Sequence, residues 1–260
     1  MNRIEANRRE PAAESRLPTA NRLLIDLGNT RCKAAFAHHK EILSVLSSDG
    51  SDSLSFLQEA IQEQRFDIIV LSSVQRRDSK LIAFLASRAR TFVEVDGDTP
   101  TLLRIDYQTP DRLGADRLAA GVGAVTRYPG KDLLVIDFGT AITFDFINKD
   151  GELIGGNISL GMQMRFKALH HFTQCLPLIQ MEADEPIPPF GMDTRGNMMA
   201  GVVHGIVHEI EGYVAKYQDR TIILTGGDAI FFAKQLKTPI FADYNLIFTG
   251  LSEIAQNYAI

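Results

Sequence analysis

Cysteine is scarce in this chain: only Cys32 and Cys175 occur among 260 residues, far apart and at no spacing suited to a metal ion or a redox pair. That excludes a disulfide framework and a cysteine-based zinc site, and reduced, buried thiols in a cytoplasmic protein are the expectation. Long apolar runs are also missing. No stretch approaches the ~18 residues a membrane-spanning helix needs, so no membrane association is expected. Positive charge is not in excess. The 27 Lys and Arg face 32 Asp and Glu, a net charge of -5, which argues against a nucleic-acid partner and its basic stripe. Three common signatures are absent as well: a Walker A loop with Gly-Lys-Ser/Thr, a GxGxxG turn and a His-Glu-x-x-His helix. The first 21 residues, MNRIEANRREPAAESRLPTAN, lack the apolar core of a secretory signal, and Glu5, Glu10 and Glu14 are out of place in a transit peptide. A disordered tail over 1–21 is the expectation.

What remains is ordinary globular composition, 45% hydrophobic and 23% charged, enough for one large domain or two modest ones. From residue 22 the apolar patterning predicts strands at 23–26, 31–36, 41–48, 66–74 and 91–95, with helices from Ser53 and over 80–88. A helix over 115–127 follows. The second half repeats the scheme: strand, turn and strand from 132, a third strand in GELIGGNISLG, helices near 163–172 and 197–218, a strand leading into a glycine turn and helix in TIILTGGDA (221–229), and a closing helix in NLIFTGLSEIAQNY. This is a half-chain duplication, giving an N-terminal domain over 22–131 and a C-terminal domain over 132–260. Two similar α/β domains are expected to face each other across a cleft, each presenting one acidic turn to it.

Those turns are the chief chemical signal. Residues 23–36 read LLIDLGNTRCKAAF and residues 133–146 read LLVIDFGTAITFDF. Each is an apolar run, an Asp, one apolar residue, a Gly, then small polar residues. A buried strand ending in a carboxylate is costly unless the acid is hydrated, paired or bound to a cation. In the first turn Gly28 and Asn29 suit a tight hairpin with positive φ. Asn29, Thr30 and the backbone amides can donate to phosphate oxygens, and Lys33 can add positive charge. Asp26 does not favour a phosphate directly but fits if Mg²⁺ stands between them. One such turn alone is more simply a plain hairpin with a solvated Asp. Two matched turns fit a nucleotide gripped from both sides, and Gly226-Gly227 adds a third glycine turn at a helix start.

Between the halves, YQTPDRLGADRLAAGVGA (107–124) carries two Asp-Arg pairs. Asp116 is either a helix N-cap or a general base that takes a hydroxyl proton during phosphoryl transfer. Arg117 beside it suits a carboxylate on a substrate. His204 and His208, at i and i+4, have metal-ligand spacing but no third ligand, and adjacent His170 and His171 point apart, so packing is the simpler reading.

The set DLGNTRCK (26–33), PDRLGADR (110–117), DFGTAITFD (137–145), GGNISLGMQMRFKAL (155–169) and DTRGNMMAGVVHG (193–205) resembles type III pantothenate kinase, a family of the acetate and sugar kinase/Hsp70/actin superfamily. The likeness spans about 22–258. It implies two similar actin-like, ribonuclease H-like domains, each a mixed five-stranded sheet flanked by helices. It implies ATP-dependent phosphorylation of pantothenate, the first step of coenzyme A biosynthesis, in the cytoplasm. It places ATP, with Mg²⁺, at Asp26, Leu27, Gly28, Asn29, Thr30, Arg31, Cys32, Lys33 and Thr140. It places pantothenate at Tyr107, Gly114, Ala115, Asp116, Arg117 and Thr194, with Asp116 as proton acceptor. It implies Asp137 as ligand of a monovalent cation, K⁺ or NH₄⁺, and a homodimer with the substrate at the interface. Two positions depart from the family pattern: Ser159-Leu160-Gly161 stands for Ala-Pro-Gly, and Asp193-Thr194 for Asn-Thr. A related branch, the Bvg accessory factor, was named for an effect on transcription, so a regulatory role on this scaffold is a second reading. An actin-like ATPase or a kinase for another small hydroxy acid is a third.

Overall fold

Six consecutive buried residues form strand β1 (Arg22–Leu27), as a run covered on both faces should. It pairs antiparallel with β2 (Cys32–His38), which pairs with β3 (Glu41–Ser48). Helix α1 (Ser53–Ile61) starts where Asp52 accepts a hydrogen bond from Ser55 N. Strand β4 (Phe66–Ser73) lies parallel to β1, and after α2 (Ser79–Arg88), capped by Asp78, comes β5 (Ala89–Glu94). The sheet order is β3-β2-β1-β4-β5. Leu23, Ile25 and Leu27 pack with Phe56, Leu57, Ile61, Leu81 and Leu85, so α1 and α2 cover one face. A two-residue strand, β6 (Arg104–Ile105), and a 3-10 turn (Pro110–Arg112) lead to helix α3 (Ala115–Arg127).

The second half builds β7 (Leu133–Phe138), β8 (Ala141–Ile147), β9 (Glu152–Leu160), α4 (Met162–His171), α5 (Thr194–Lys216), β10 (Thr221–Thr225), α6 (Ala229–Gln235), β11 (Phe241–Ala242) and α7 (Leu246–Gln256). Its sheet order is β11-β10-β7-β8-β9-β6. Read from β9, the first five strands repeat β3-β2-β1-β4-β5: β7 is antiparallel to β8 and parallel to β10, as β1 is to β2 and β4. The expected duplication is therefore present strand for strand, with β6 added beside β9. Only β6 and β11 lack a forecast in the sequence, because two residues are too short to carry a hydrophobic period. The stripe Met199, Val202, Val203, Ile206, Val207 and Ile210 of α5 is buried against β7 and β8 residues.

The structure, a computed structural model, describes residues 20–48, 52–182, 185–237 and 240–258; the expected tail lies outside them over 1–19. The chain divides into two compact units. One holds the chain up to Gly130, Gly151–Leu153 and the stretch from Asn245 onward; the other holds Lys131–Asp150 and Ile154–Tyr244. In the first unit, α3 and α7 pack together and against β1 and β4. The helices touch through glycines. A Cβ on Gly250 would sit 1.8 Å from the Ala119 carbonyl oxygen, and one on Gly123 would sit 2.1 Å from that of Leu246. Backbone cannot yield locally there, so Gly250→Ala forces the helices apart. A loss of about 2–3 kcal/mol is expected, or about 5–10 °C in Tm for a chain of this size. Thermal denaturation of the variant checks this; an unchanged Tm would show that the contact yields freely.

Candidate active site

The β1–β2 connection is longer than a two-residue hairpin. The last cross-strand pair is Leu27 with Cys32, so residues 28–31 form the turn, closed by Gly28 N donating to Arg31 O at 2.9 Å. Neither Gly28 nor Asn29 has positive φ, which corrects the tight-hairpin expectation. Four residues close the loop with ordinary backbone angles and leave Asn29, Thr30 and Arg31 exposed. The end of β4 fastens this turn: Val74 N donates to Leu27 O at 3.1 Å, and Gln75 Nε2 donates to Gly28 O at 2.7 Å. Gln75 carried no signal in the sequence beyond its place just after a strand end.

Asp26 is 8% exposed. Its carboxylate lies 3.8 Å from Lys33 Nζ, the residue paired with it across β1 and β2. Burial pushes its pKa up to about 6; Lys33 opposes the rise and the nearby Asp116 carboxylate adds to it. Asp26 and Asp116 are thus brought together, although 90 positions apart in a chain that reads them as separate motifs. Such a pair of carboxylates can share a cation or divide acid and base work. The same burial pushes the Cys32 thiol up to about 12, with the Asp26 carboxylate adding to the effect, so this cysteine is inert packing. Cys175 is exposed, which corrects the expectation of two buried thiols.

Asp116 is not the N-cap of α3. Gly114 holds that position, and Asp116 lies in the first turn with Oδ1 accepting from Arg117 N at 2.8 Å. Burial raises its pKa, against the Arg117 backbone hydrogen bond and guanidinium. Gly114 lies close beneath it: a Cβ there would come 2.5 Å from Asp116 Oδ1, so a larger residue displaces that carboxylate. Ala115 is buried, and Arg117 is buried with its guanidinium 5.9 Å from the Tyr107 ring centroid. The first unit therefore assembles Asp26, Lys33, Tyr107, Gly114, Asp116 and Arg117 around two acids of raised pKa.

The remaining candidates belong to the second unit. Asp137 is half-buried near the end of β7, and Gly139 and Thr140 are exposed in the turn after it. Gly226, with φ of 95°, follows the Thr225 that pairs with Asp137. A Cβ on Gly226 would lie 2.3 Å from Asp137 Oδ1 and 2.6 Å from the Phe138 backbone, so only glycine fits beside that carboxylate. Thr194 is the exposed first residue of α5, where Asp193 Oδ1 accepts from Gly196 N at 2.6 Å. The Asp that replaces Asn at 193 is thus a helix N-cap, with its charge well placed on the dipole. At the other departure Arg165 ties the loop in place of a proline: its Nε donates to Leu160 O at 2.9 Å and its Nη2 to Ser159 Oγ at 3.2 Å, while it also pairs with Glu209. Thr194 lines an apolar groove of about 780 Å³ with Leu160, Leu169, Phe172, Leu176 and Met198. Phe172 is 81% exposed.

Two of the histidines lie against backbone carbonyls. His204 Nε2 lies 2.9 Å from Pro188 O, and His170 Nδ1 lies 2.7 Å from Leu176 O. No group of three metal-ligating side chains occurs among the described residues. No helix among them is long and apolar enough to cross a membrane.

Comparison with known proteins gives the same direction. Residues 22–216 match the family model described as type III pantothenate kinase. A type III pantothenate kinase of Azobacteroides pseudotrichonymphae is 40% identical over 243 residues, covering 89% of this chain and 95% of its own. Among solved structures, a Campylobacter jejuni protein described as a conserved Baf family transcriptional activator aligns with TM-score 0.61 and 23% identity, over 91% of this chain and 98% of its own. A Sinorhizobium meliloti protein described as a 2-dehydro-3-deoxygalactonokinase aligns with TM-score 0.54 and 13% identity, over 91% and 98%. These structural likenesses concern the fold, which is the actin-like one of two similar domains.

Proposed function

The chain belongs to the type III pantothenate kinase family, and from that premise we propose that Asp116 is the general base that accepts the proton of pantothenate's terminal hydroxyl. Members of this family are phosphotransferases with an alcohol acceptor, using ATP with a divalent metal ion. The observation that carries the proposal is the meeting of Asp116 and Asp26 in one unit, both with pKa raised by burial. A carboxylate with raised pKa holds a proton more readily, which suits a base.

The residues present fit ATP with Mg²⁺. Asp26 is a buried acid whose raised pKa marks an unmet need for positive charge, and the exposed turn 28–31 offers backbone amides and the hydroxyl and amide of Thr30 and Asn29. Mg²⁺ supplies charge neutralisation at the phosphates. Lys33 adds a movable ammonium, and Arg117 pairs with the carboxylate of pantothenate, held by Tyr107. Leu27 and Cys32 contribute to the ATP turn as its buried anchors. The chain's own contribution is positioning and charge, which is what phosphoryl transfer asks of a protein.

Asp137 is proposed as ligand of K⁺ or NH₄⁺, because it is a half-buried carboxylate near a strand end beside a glycine turn, and Thr140 in the turn beyond it as an ATP contact. Thr194 is proposed to contact pantothenate in a homodimer formed through the apolar groove beside it. A cytoplasmic location follows from the ATP requirement. Replacing K⁺ by Na⁺ is expected to lower kcat at least about tenfold, read in the steady-state assay; equal rates in both salts would remove Asp137 from this role.

A coupled ADP-release assay with pantothenate and Mg·ATP tests the whole reading. Pantothenate-dependent ADP release is the expected result. A purely regulatory protein on this scaffold releases none, and a kinase for another hydroxy acid releases ADP only with that acid.

A further inference from the structure

Strand β4 sets Ser72 beside Asp26. The two are directly paired in the parallel register of β1 and β4, so their side chains leave the sheet on the same face. Lys33 is paired with Asp26 on the other side. One sheet face therefore carries the row Lys33, Asp26, Ser72. Ser72 has no exposed surface, and its Oγ has no hydrogen-bond partner among the described residues. Its neighbour Ser73 is satisfied, its Oγ accepting from Gln75 N at 3.2 Å. A wholly buried hydroxyl without a partner is uncommon in native proteins and asks for a reason.

The reason lies in what surrounds Asp26. A carboxylate has acceptor sites on both oxygens. Lys33, 3.8 Å from Oδ2, is its cationic neighbour here. Lys33 also stands on β2, one residue beyond the Cys32 that ends the turn the kinase reading gives to the nucleotide, so phosphate oxygens there compete for it. When Lys33 turns to them, Asp26 loses its cationic neighbour, and Ser72 is the buried donor already in register on the opposite side.

We propose that Ser72 is a positioning residue for phosphoryl transfer, whose hydroxyl donates to the Asp26 carboxylate in the nucleotide-bound protein and holds it against the phosphate site. The hydroxyl without a partner in the free protein is the reserve donor for the bound one. This rests on the kinase reading for its purpose, but its test does not need pantothenate.

The test is a double-mutant cycle on Mg·ADP affinity, measured by titration calorimetry on the full chain. Ser72→Ala is expected to weaken Mg·ADP about five- to tenfold and to lower kcat by a similar factor, with KM for pantothenate unchanged. Because the free protein loses no bond, its Tm stays the same or rises. In the Asp26→Ala background, where no acceptor is left for the hydroxyl, Ser72→Ala should weaken Mg·ADP no further. Ser72→Cys, of similar volume but with a weak donor, should fall between Ser and Ala, and carries the test if the Ala variant misfolds. Unchanged affinity and kcat in these variants, or additive losses in the cycle, overturn the proposal. If the cycle is non-additive but the wild type releases no ADP with pantothenate, the substrate reading fails and the Ser72 assignment stands.

Discussion

Asp116→Asn is expected to lower kcat by about 10²–10⁴-fold, the usual share of a positioned general base. The argument rests on what the amide keeps. Its side-chain oxygen still accepts from Arg117 N, as Asp116 Oδ1 does at 2.8 Å, so the start of α3 and the position of Arg117 are preserved. Gly114 leaves room for the same rotamer. What is lost is the capacity to take a proton. Since burial already disfavours the charged form of Asp116, a neutral amide there should not lower Tm. KM for ATP and for pantothenate should change by no more than a few-fold. Steady-state kinetics together with thermal denaturation check the prediction; near-normal kcat in a well-folded variant would exclude Asp116 as the base.

Asp26→Asn should separate stability from function. The pKa of Asp26 in the folded protein is about 6, against an ordinary value of 3.8. The folded state therefore holds this proton more tightly than the unfolded chain does. Between about pH 4 and pH 6 the folded protein binds more protons, so stability falls as pH rises through that window. Above it the full cost of a buried charge is present, about 3 kcal/mol at most. Removing the carboxylate removes that cost, less the attraction to Lys33. The free variant should be more stable than wild type by about 1–3 kcal/mol at pH 8, equal to about 3–9 °C in Tm, and should show no gain at pH 4. Its affinity for Mg·ATP and its turnover should fall at least about tenfold, because the acid that raises the cost of folding is the one that answers a cation. Melting curves at the two pH values decide it. A gain of equal size at pH 4 would mean that Asp26 is not strained by ionisation. For wild type the same titration predicts that kcat/KM rises with pH through about 6, as Asp26 takes up its charge.

The duplication could be read directly. Asp26-Leu27-Gly28 and Asp137-Phe138-Gly139 each follow an apolar run, and strands of five to nine residues leave a period that survives in one dimension. The sheet orders then repeat as that reading requires. Asp26, Lys33, Asp116 and Arg117 were visible as candidates because charged residues beside glycines at strand ends and helix starts are chemically conspicuous. Their mutual distances were not visible. Nor was Asp116's position in the first turn rather than at the cap, since a shift of two residues at a helix start leaves the apolar period unchanged.

Local pattern, then, was enough for the repeated half, the acidic strand ends and the residues able to donate or accept. Three matters needed the folded chain: Ser72 in register with Asp26, Gln75 closing on the Gly28 carbonyl, and α7 returning from the end of the sequence to pack on α3 through Gly123 and Gly250. Each is a contact between segments remote in sequence. Strand register and helix approach are set by how whole surfaces fit, and no window of neighbouring residues contains that information.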